Sequence, residues 1–365
     1  MVERLCVFCG ERPASKTNEH ILPQWLIALT GEPNRTVKFG VNYENGKIIE
    51  FSWSGLVVPA CKTCNGNYGK SLEDKAKAIV EALLARRAIP ANEFLILLDW
   101  LDKVRIGLWL NYQMIQKIPS GVTPNFRISQ RLGTKDRMVA VYTLDTPEKG
   151  LNAFGVETYV FHMMPTCFGV KINNILLFNM SADFLFSGNC GFPTPKEMFL
   201  HIDGANKGMT QIGDFSTSRS VADRLMLPRL VKSTIQLYQP IMQLAPVGTP
   251  WRRFMGAEWD YDSFVSPRLL NSESGQGILF RQFDDHVEEI TDLDNLVELD
   301  QVDGKDSVPL WKLIQQVYEF QIVLWDKVER RGSSPEVTNA GAIRSKEIVE
   351  ENHEIIRFYQ SLQRK

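Results

Sequence analysis

Apolar residues return at intervals of three and four from Glu93 to Ile118, where Phe94, Leu97, Leu98, Leu101, Val104, Leu108 and Leu110 mark one side of a helix. Trp100 and Trp109 add bulk to that packed side. The same period runs from Val308 to Arg330 through Leu310, Leu313, Ile314, Val317, Phe320, Gln321 and Leu324. After a Gly332-Ser333-Ser334-Pro335 break it resumes from Ala342 to Gln363, so the C-terminus is expected to fold as an antiparallel helical hairpin. An exposed apolar stripe on either helix would mark a homodimer or partner surface. Ser71 to Arg87 predicts an earlier amphipathic helix, with Leu72, Ala76, Ile79, Leu83 and Leu84 in one stripe. Arg86 and Arg87 end it where cations suit the helix dipole.

Elsewhere the pattern is that of strands. Val37-Lys38-Phe39 and Ile48 to Trp53 flank Glu44-Asn45-Gly46 as a hairpin would. From about residue 125 to 300 the texture turns to short β-rich runs broken by Gly, Pro and Asn, among them Met138 to Tyr142 and Gly155 to Phe161. The expected fold class is therefore α+β. It comprises a small N-terminal module over residues 1–90, a linking helix over 91–120, a β-rich α+β domain over 121–305 and the helical hairpin over 306–365. Neither internal repeats nor low-complexity tracts interrupt this plan.

The chemistry concentrates at the N-terminus. Cys6-Val7-Phe8-Cys9 and Cys61-Lys62-Thr63-Cys64 have the same spacing, and two such knuckles supply the four thiolates of a closed structural zinc site. The 51 residues between Cys9 and Cys61 form a sizeable loop that the metal must close. Within it lie Glu19 and His20, and Asn65 follows the last cysteine. Pro23 and Trp25 are expected to pack where the chain enters this loop. Histidine exchanges a proton near neutral pH, and carboxylate and amide oxygens suit hard cations.

Cys6, Cys9, Thr17 to Pro23, Cys61, Cys64 and Asn65 together resemble the zinc-stapled HNH endonucleases, also called ββα-metal or His-Me finger nucleases. The layout is most similar to that of phage Holliday-junction-resolving members, and the resemblance covers roughly residues 1–90. It implies Zn²⁺ on the four cysteines, a catalytic Mg²⁺ or Mn²⁺ on Glu19 and Asn65, and His20 as the base that activates water. The implied products carry 5′ phosphate and 3′ hydroxyl, and activity should fall in acid. This chain departs from the family pattern in having Glu19 where Asp or His is commoner. Asn67 offers the same amide oxygen as Asn65, although Asn65 stands directly after Cys64.

Composition narrows the setting. A content of 44% hydrophobic and 23% charged residues describes an ordinary globular protein rather than a disordered one. The chain has no apolar run of about 18 residues, so a membrane span is not expected, and its short charged start does not read as a signal peptide. Reduced zinc thiolates point to a cytoplasmic location, with Cys167 and Cys190 unpaired. The formal net charge of −2 argues against a globally basic nucleic-acid binder, but residues 1–90 hold twelve Lys and Arg against nine Asp and Glu.

Acidic residues gather in Asp284, Asp285, Glu288, Glu289, Asp292, Asp294, Glu298, Asp300, Asp303 and Asp306, as on a solvated face. Trp251-Arg252-Arg253-Phe254, with Trp259 and Tyr261, mixes cations and aromatics as strand-binding surfaces do, though core packing uses the same residues. His162, His201 and His286 lack metal-ligand spacing and are expected to be structural.

Function is thus expected to be metal-dependent hydrolysis of DNA phosphodiester bonds, in restriction, antiphage defence or a mobile element. The alternatives are a zinc-stabilised nucleic-acid-binding module and a protein-interaction scaffold, both without catalysis.

Overall fold

The computed structural model describes residues 5–13, 17–41, 45–68, 72–115, 136–145, 149–182, 194–195, 198–201, 209–212, 215–216, 230–239, 279–300, 308–326 and 335–361. The aromatic and basic segment Trp251 to Tyr261, together with Cys190, Asp303 and Asp306, lies outside them.

The N-terminal part runs β1 (Thr17–His20), α1 (Gln24–Leu29), β2 (Thr36–Val41), β3 (Ile48–Ser52), β4 (Val57–Ala60), α2 (Lys62–Tyr68) and α3 (Asp74–Leu84). The predicted hairpin forms as β2 and β3, paired antiparallel in a sheet of their own. It is not the ribbon that carries the cysteines. That ribbon is β1 against β4, two strands of four residues each that are too short to show a period. Trp25 packs on Trp100 with ring centroids 6.2 Å apart, which ties α1 to the long helix over Ala91–Ile115.

β5 (Ile89–Pro90) leads into α4 (Ala91–Ile115), which from Trp100 to Gln113 is buried on every side rather than along one stripe. A helix covered all round must satisfy its charges internally, and α4 carries Asp99, Asp102, Lys103 and Arg105.

Beyond it, β6 (Asp136–Thr143), β7 (Leu151–Phe154), β8 (Cys167–Ile172) and β9 (Ile175–Ala182) contribute to a seven-stranded antiparallel sheet. Two small ribbons follow: β10 (Thr194–Pro195) pairs with β13 (Phe215–Ser216), and β11 (Met198–His201) with β12 (Met209–Ile212). The sheet is completed by β14 (Ile235–Gln239), β15 (Leu279–Gln282) and β16 (Val287–Ile290), in the order β16-β15-β14-β6-β9-β8-β7. Finally, β17 (Leu296–Val297) pairs back with β5.

The segment from Gly155 to Phe161, expected as a strand, is instead a bend and a short helix, α5 (Tyr159–Met163). Gly155 has φ +80°, outside the extended region, and the Thr158 hydroxyl caps the helix by accepting from the Phe161 amide at 3.2 Å.

The C-terminal hairpin forms as α6 (Leu310–Asp326) and α7 (Pro335–Ser361). Side chains alternate across β6: Arg137 reaches Asp99 and Asp102 of α4, whereas the Tyr142 hydroxyl accepts from Gln316 of α6. The sheet is therefore covered on both faces, by α4 and by α6. The described residues form a mixed α and β fold with seven helices and this seven-stranded sheet.

The acidic run follows β15 along the edge strand β16 and its turns, where Asp284, Asp285, Glu288, Glu289, Asp292, Asp294, Glu298 and Asp300 are exposed. Charges on an edge strand discourage pairing with another chain.

Candidate metal centre and the His20 strand

The first cysteine knuckle is a turn closed by the Gly10 amide on the Cys6 carbonyl at 2.8 Å, with Gly10 at φ +77°. It docks on the ribbon through the Val7 amide, which donates to the Pro59 carbonyl of β4 at 2.9 Å. The second knuckle begins one residue after β4 ends and runs into the first turn of α2, where the Asn65 amide donates to the Cys61 carbonyl at 3.0 Å. Both pairs thus hang from the end of one strand.

The four Sγ atoms all lie within 4.8 Å of one another, with Cys6 to Cys61 at 3.8 Å and Cys9 to Cys61 at 3.9 Å. Tetrahedral zinc with Zn–S of about 2.3 Å requires S···S separations of about 3.8 Å, so the donor set fits. The electrostatics agree. Burial works against the Cys6 thiolate, but hydrogen bonds from the Cys9, Cys61 and Phe8 backbone outweigh it and bring the thiol to about 7. Burial, and then the neighbouring cysteines, push the Cys64 thiol well up. Four thiolates cannot share this space without a cation, and a divalent metal supplies that charge.

In β1 successive side chains point to opposite sides. Glu19 is buried, while Asn18 is exposed and His20 half-buried on the other side. The ribbon register pairs Glu19 with Val58 and His20 with Val57. Asn65 donates from Nδ2 to the Asn18 carbonyl at 3.0 Å, which fastens α2 to β1. Asn67 lies two residues on, exposed, about 200° round the helix from Asn65. The structure therefore brings Asn65 to the strand that carries His20.

Glu19 goes elsewhere. Its carboxylate meets the Lys103 ammonium of α4 at 2.6 Å, and the same ammonium contacts the Glu73 carboxylate and donates to the His20 carbonyl at 3.1 Å. The side chains of Lys103 and Glu19 are 1% and 5% exposed, so this is an interior ion cluster. Burial raises the Glu73 carboxyl above its ordinary range, and the Lys103 charge opposes that rise. Of the two residues expected to hold Mg²⁺ or Mn²⁺, Glu19 is paired with Lys103 and Asn65 with the Asn18 carbonyl. Zinc fits the four cysteines present.

The amphipathic and cysteine patterns did not foretell Lys103 and Glu73. The available signal was the lysine itself, set among tryptophan and leucine in α4. Three more buried charges, Asp102, Arg105 and Arg137, join α4 to the sheet together with the half-buried Asp99. Asp102 accepts from Arg105 at 2.6 Å and from Arg137 at 3.0 Å, and Arg137 also reaches Asp99 at 2.6 Å. Of the histidines expected to be structural, His162 is buried and stacks on Tyr112 with centroids 3.5 Å apart; burial drives its pKa down to about 3. His286 sits half-buried between Asp285 and Glu288.

Comparison with known proteins finds no matching family model, no matching curated protein and no matching solved structure. A cluster of four cysteines able to hold a metal such as zinc is what stands. Among the described residues no helix is long and apolar enough to cross a membrane.

Proposed function

We propose that this protein is a zinc-stapled endonuclease of the HNH type that hydrolyses DNA phosphodiester bonds, with His20 as the general base. One observation carries the reading. β1, β4 and α2, closed by Cys6, Cys9, Cys61 and Cys64, form a ribbon-and-helix finger in which Asn65 is bound to the strand that ends in His20.

Bound zinc supplies the staple that holds the ribbon to the helix. An imidazole at His20 takes a proton from water as the water oxygen bonds to phosphorus. The bond from phosphorus to the 3′ oxygen breaks, and that oxygen takes a proton from solvent. Asn65 positions β1 through its bond to the Asn18 carbonyl. DNA is the proposed partner and the cytoplasm the proposed location, in restriction, antiphage defence or a mobile element; the remainder of the chain would select the substrate.

A second reading, a zinc-stabilised module that binds nucleic acid or protein without catalysis, is favoured by the buried pairing of Glu19 with Lys103. It predicts a salt-sensitive shift of DNA without product, or neither. A homodimer or partner surface on the C-terminal hairpin would draw on the exposed Ile343 and Phe358 of α7. Nicking of supercoiled plasmid by the purified protein separates the two readings.

A further inference from the structure

We infer that Lys103 is the cation that Glu19 serves, so that this lysine, and not a divalent metal, fills the oxygen-lined position behind β1 and positions the strand that carries His20. The inference rests on the proposed role of His20 for its catalytic meaning, but its geometry stands independently.

An ammonium has three N–H donors and no acceptor. Lys103 has three oxygen partners: the Glu19 carboxylate at 2.6 Å, the His20 carbonyl at 3.1 Å and the Glu73 carboxylate. The three come from β1 and from the turn before α3, brought to α4 across 30 to 84 residues of sequence. Two carboxylates and a carbonyl are also the donors a hard cation prefers. A divalent ion on Glu19 would lie within a few ångströms of a buried ammonium, at a cost neither charge recovers. The Lys103 ammonium already stands among these three oxygens, so the chain supplies the cation itself.

The consequence for the site is positional. Lys103 holds both the side chain of Glu19 and the backbone of His20, so it sets the end of β1 relative to α4. His20 is then presented from a strand fixed at two consecutive residues.

The test is Mn²⁺ binding by the zinc-loaded full chain, followed by calorimetry and by the thermal midpoint, for the wild type, Glu19→Gln, Lys103→Ala and the double variant. Glu19→Gln should bind Mn²⁺ as the wild type does, within twofold, or neither should bind it. Lys103→Ala should lose thermal stability and regain part of it when Mn²⁺ enters the vacated oxygen pocket, a rescue absent from the double variant. A tenfold or greater loss of Mn²⁺ affinity in Glu19→Gln would overturn the inference, as would Lys103→Ala that melts like the wild type. Should Lys103→Ala fail to fold, the Glu19→Gln comparison still decides. Plasmid cleavage reports on the nuclease reading separately, because neither Mn²⁺ result depends on turnover.

Discussion

Arg137 of β6 and Asp102 of α4 meet at 3.0 Å with both side chains 1% exposed, which makes their ion pair a bolt between the central helix and the sheet. Asp102 also accepts from Arg105, and Arg137 donates to Gln239 at 3.0 Å, so the donors and acceptors are well used. Removing Arg137 leaves Arg105 still paired with Asp102, so the loss is that of the charged hydrogen bonds from Arg137 to Asp102 and Gln239. Arg137→Met is predicted to cost about 2–3 kcal/mol of stability, measured by urea unfolding. A loss under about 1 kcal/mol would mean that water reaches the pair.

The join between the sheet and α6 depends on Gly155. A β-carbon there would stand 2.6 Å from Val317 Cγ1 and 2.7 Å from Gln321 Nε2, at a φ of +80°. Gln321 donates to the Cys167 carbonyl at 2.9 Å and accepts from Thr158 at 2.9 Å and from Asn352 at 2.8 Å, so moving it disturbs a buried polar network. Gly155→Ala should therefore lower stability by about 2 kcal/mol or more, read from the shift in denaturant midpoint.

These two joints mark where sequence reading stopped. The cysteine knuckles were legible because their spacing is the chemistry, and the long helices because their apolar residues repeat. The ribbon β1 and β4 was not legible. Thr17 to His20 and Val57 to Ala60 are each four residues, and the stronger alternation of β2 and β3 drew the assignment away from them. The short helix α2, which holds Asn65, Gly66 and Asn67, has poor intrinsic helix formers and begins at the second cysteine knuckle. The direction of Glu19 was also hidden. Its place beside His20 suggested convergence, but neighbouring strand residues diverge, and the partner that claims Glu19 is 84 residues away.

Zinc should be present at one ion per chain and should matter to the fold, since the knuckles join the ends of a loop of 51 residues. Cys61→Ala should lose the metal and lower the thermal midpoint. Acid should release zinc from the wild type, because protons compete for the thiolates, so retention falls as pH falls. Metal analysis after gel filtration over a pH series checks both; an unchanged midpoint in the metal-free chain would remove the staple from the account.

A pH dependence of the opposite sign is expected at Glu351 on α7. Burial raises its carboxyl from the usual 4.5 to about 7, while the Tyr159 amide, donating at 2.9 Å, pulls the other way. The folded state thus holds a proton that the unfolded state releases. This contribution is full below about pH 4.5 and declines as pH rises through about 7. Glu351→Gln should be more stable than the wild type at pH 8 and nearly equal to it at pH 4, as thermal melts would show.

The most direct measurement is plasmid cleavage in Mg²⁺ and in Mn²⁺ by the wild type and by His20→Ala, with zinc content and melting curve recorded for each. Nicked or linear product from the wild type, reduced by about 10² to 10⁴ in a His20→Ala protein that keeps its zinc and its midpoint, is the predicted result. Cleavage by His20→Ala at the wild-type rate would contradict the assigned base, and absence of product from the wild type under both metals would contradict the nuclease.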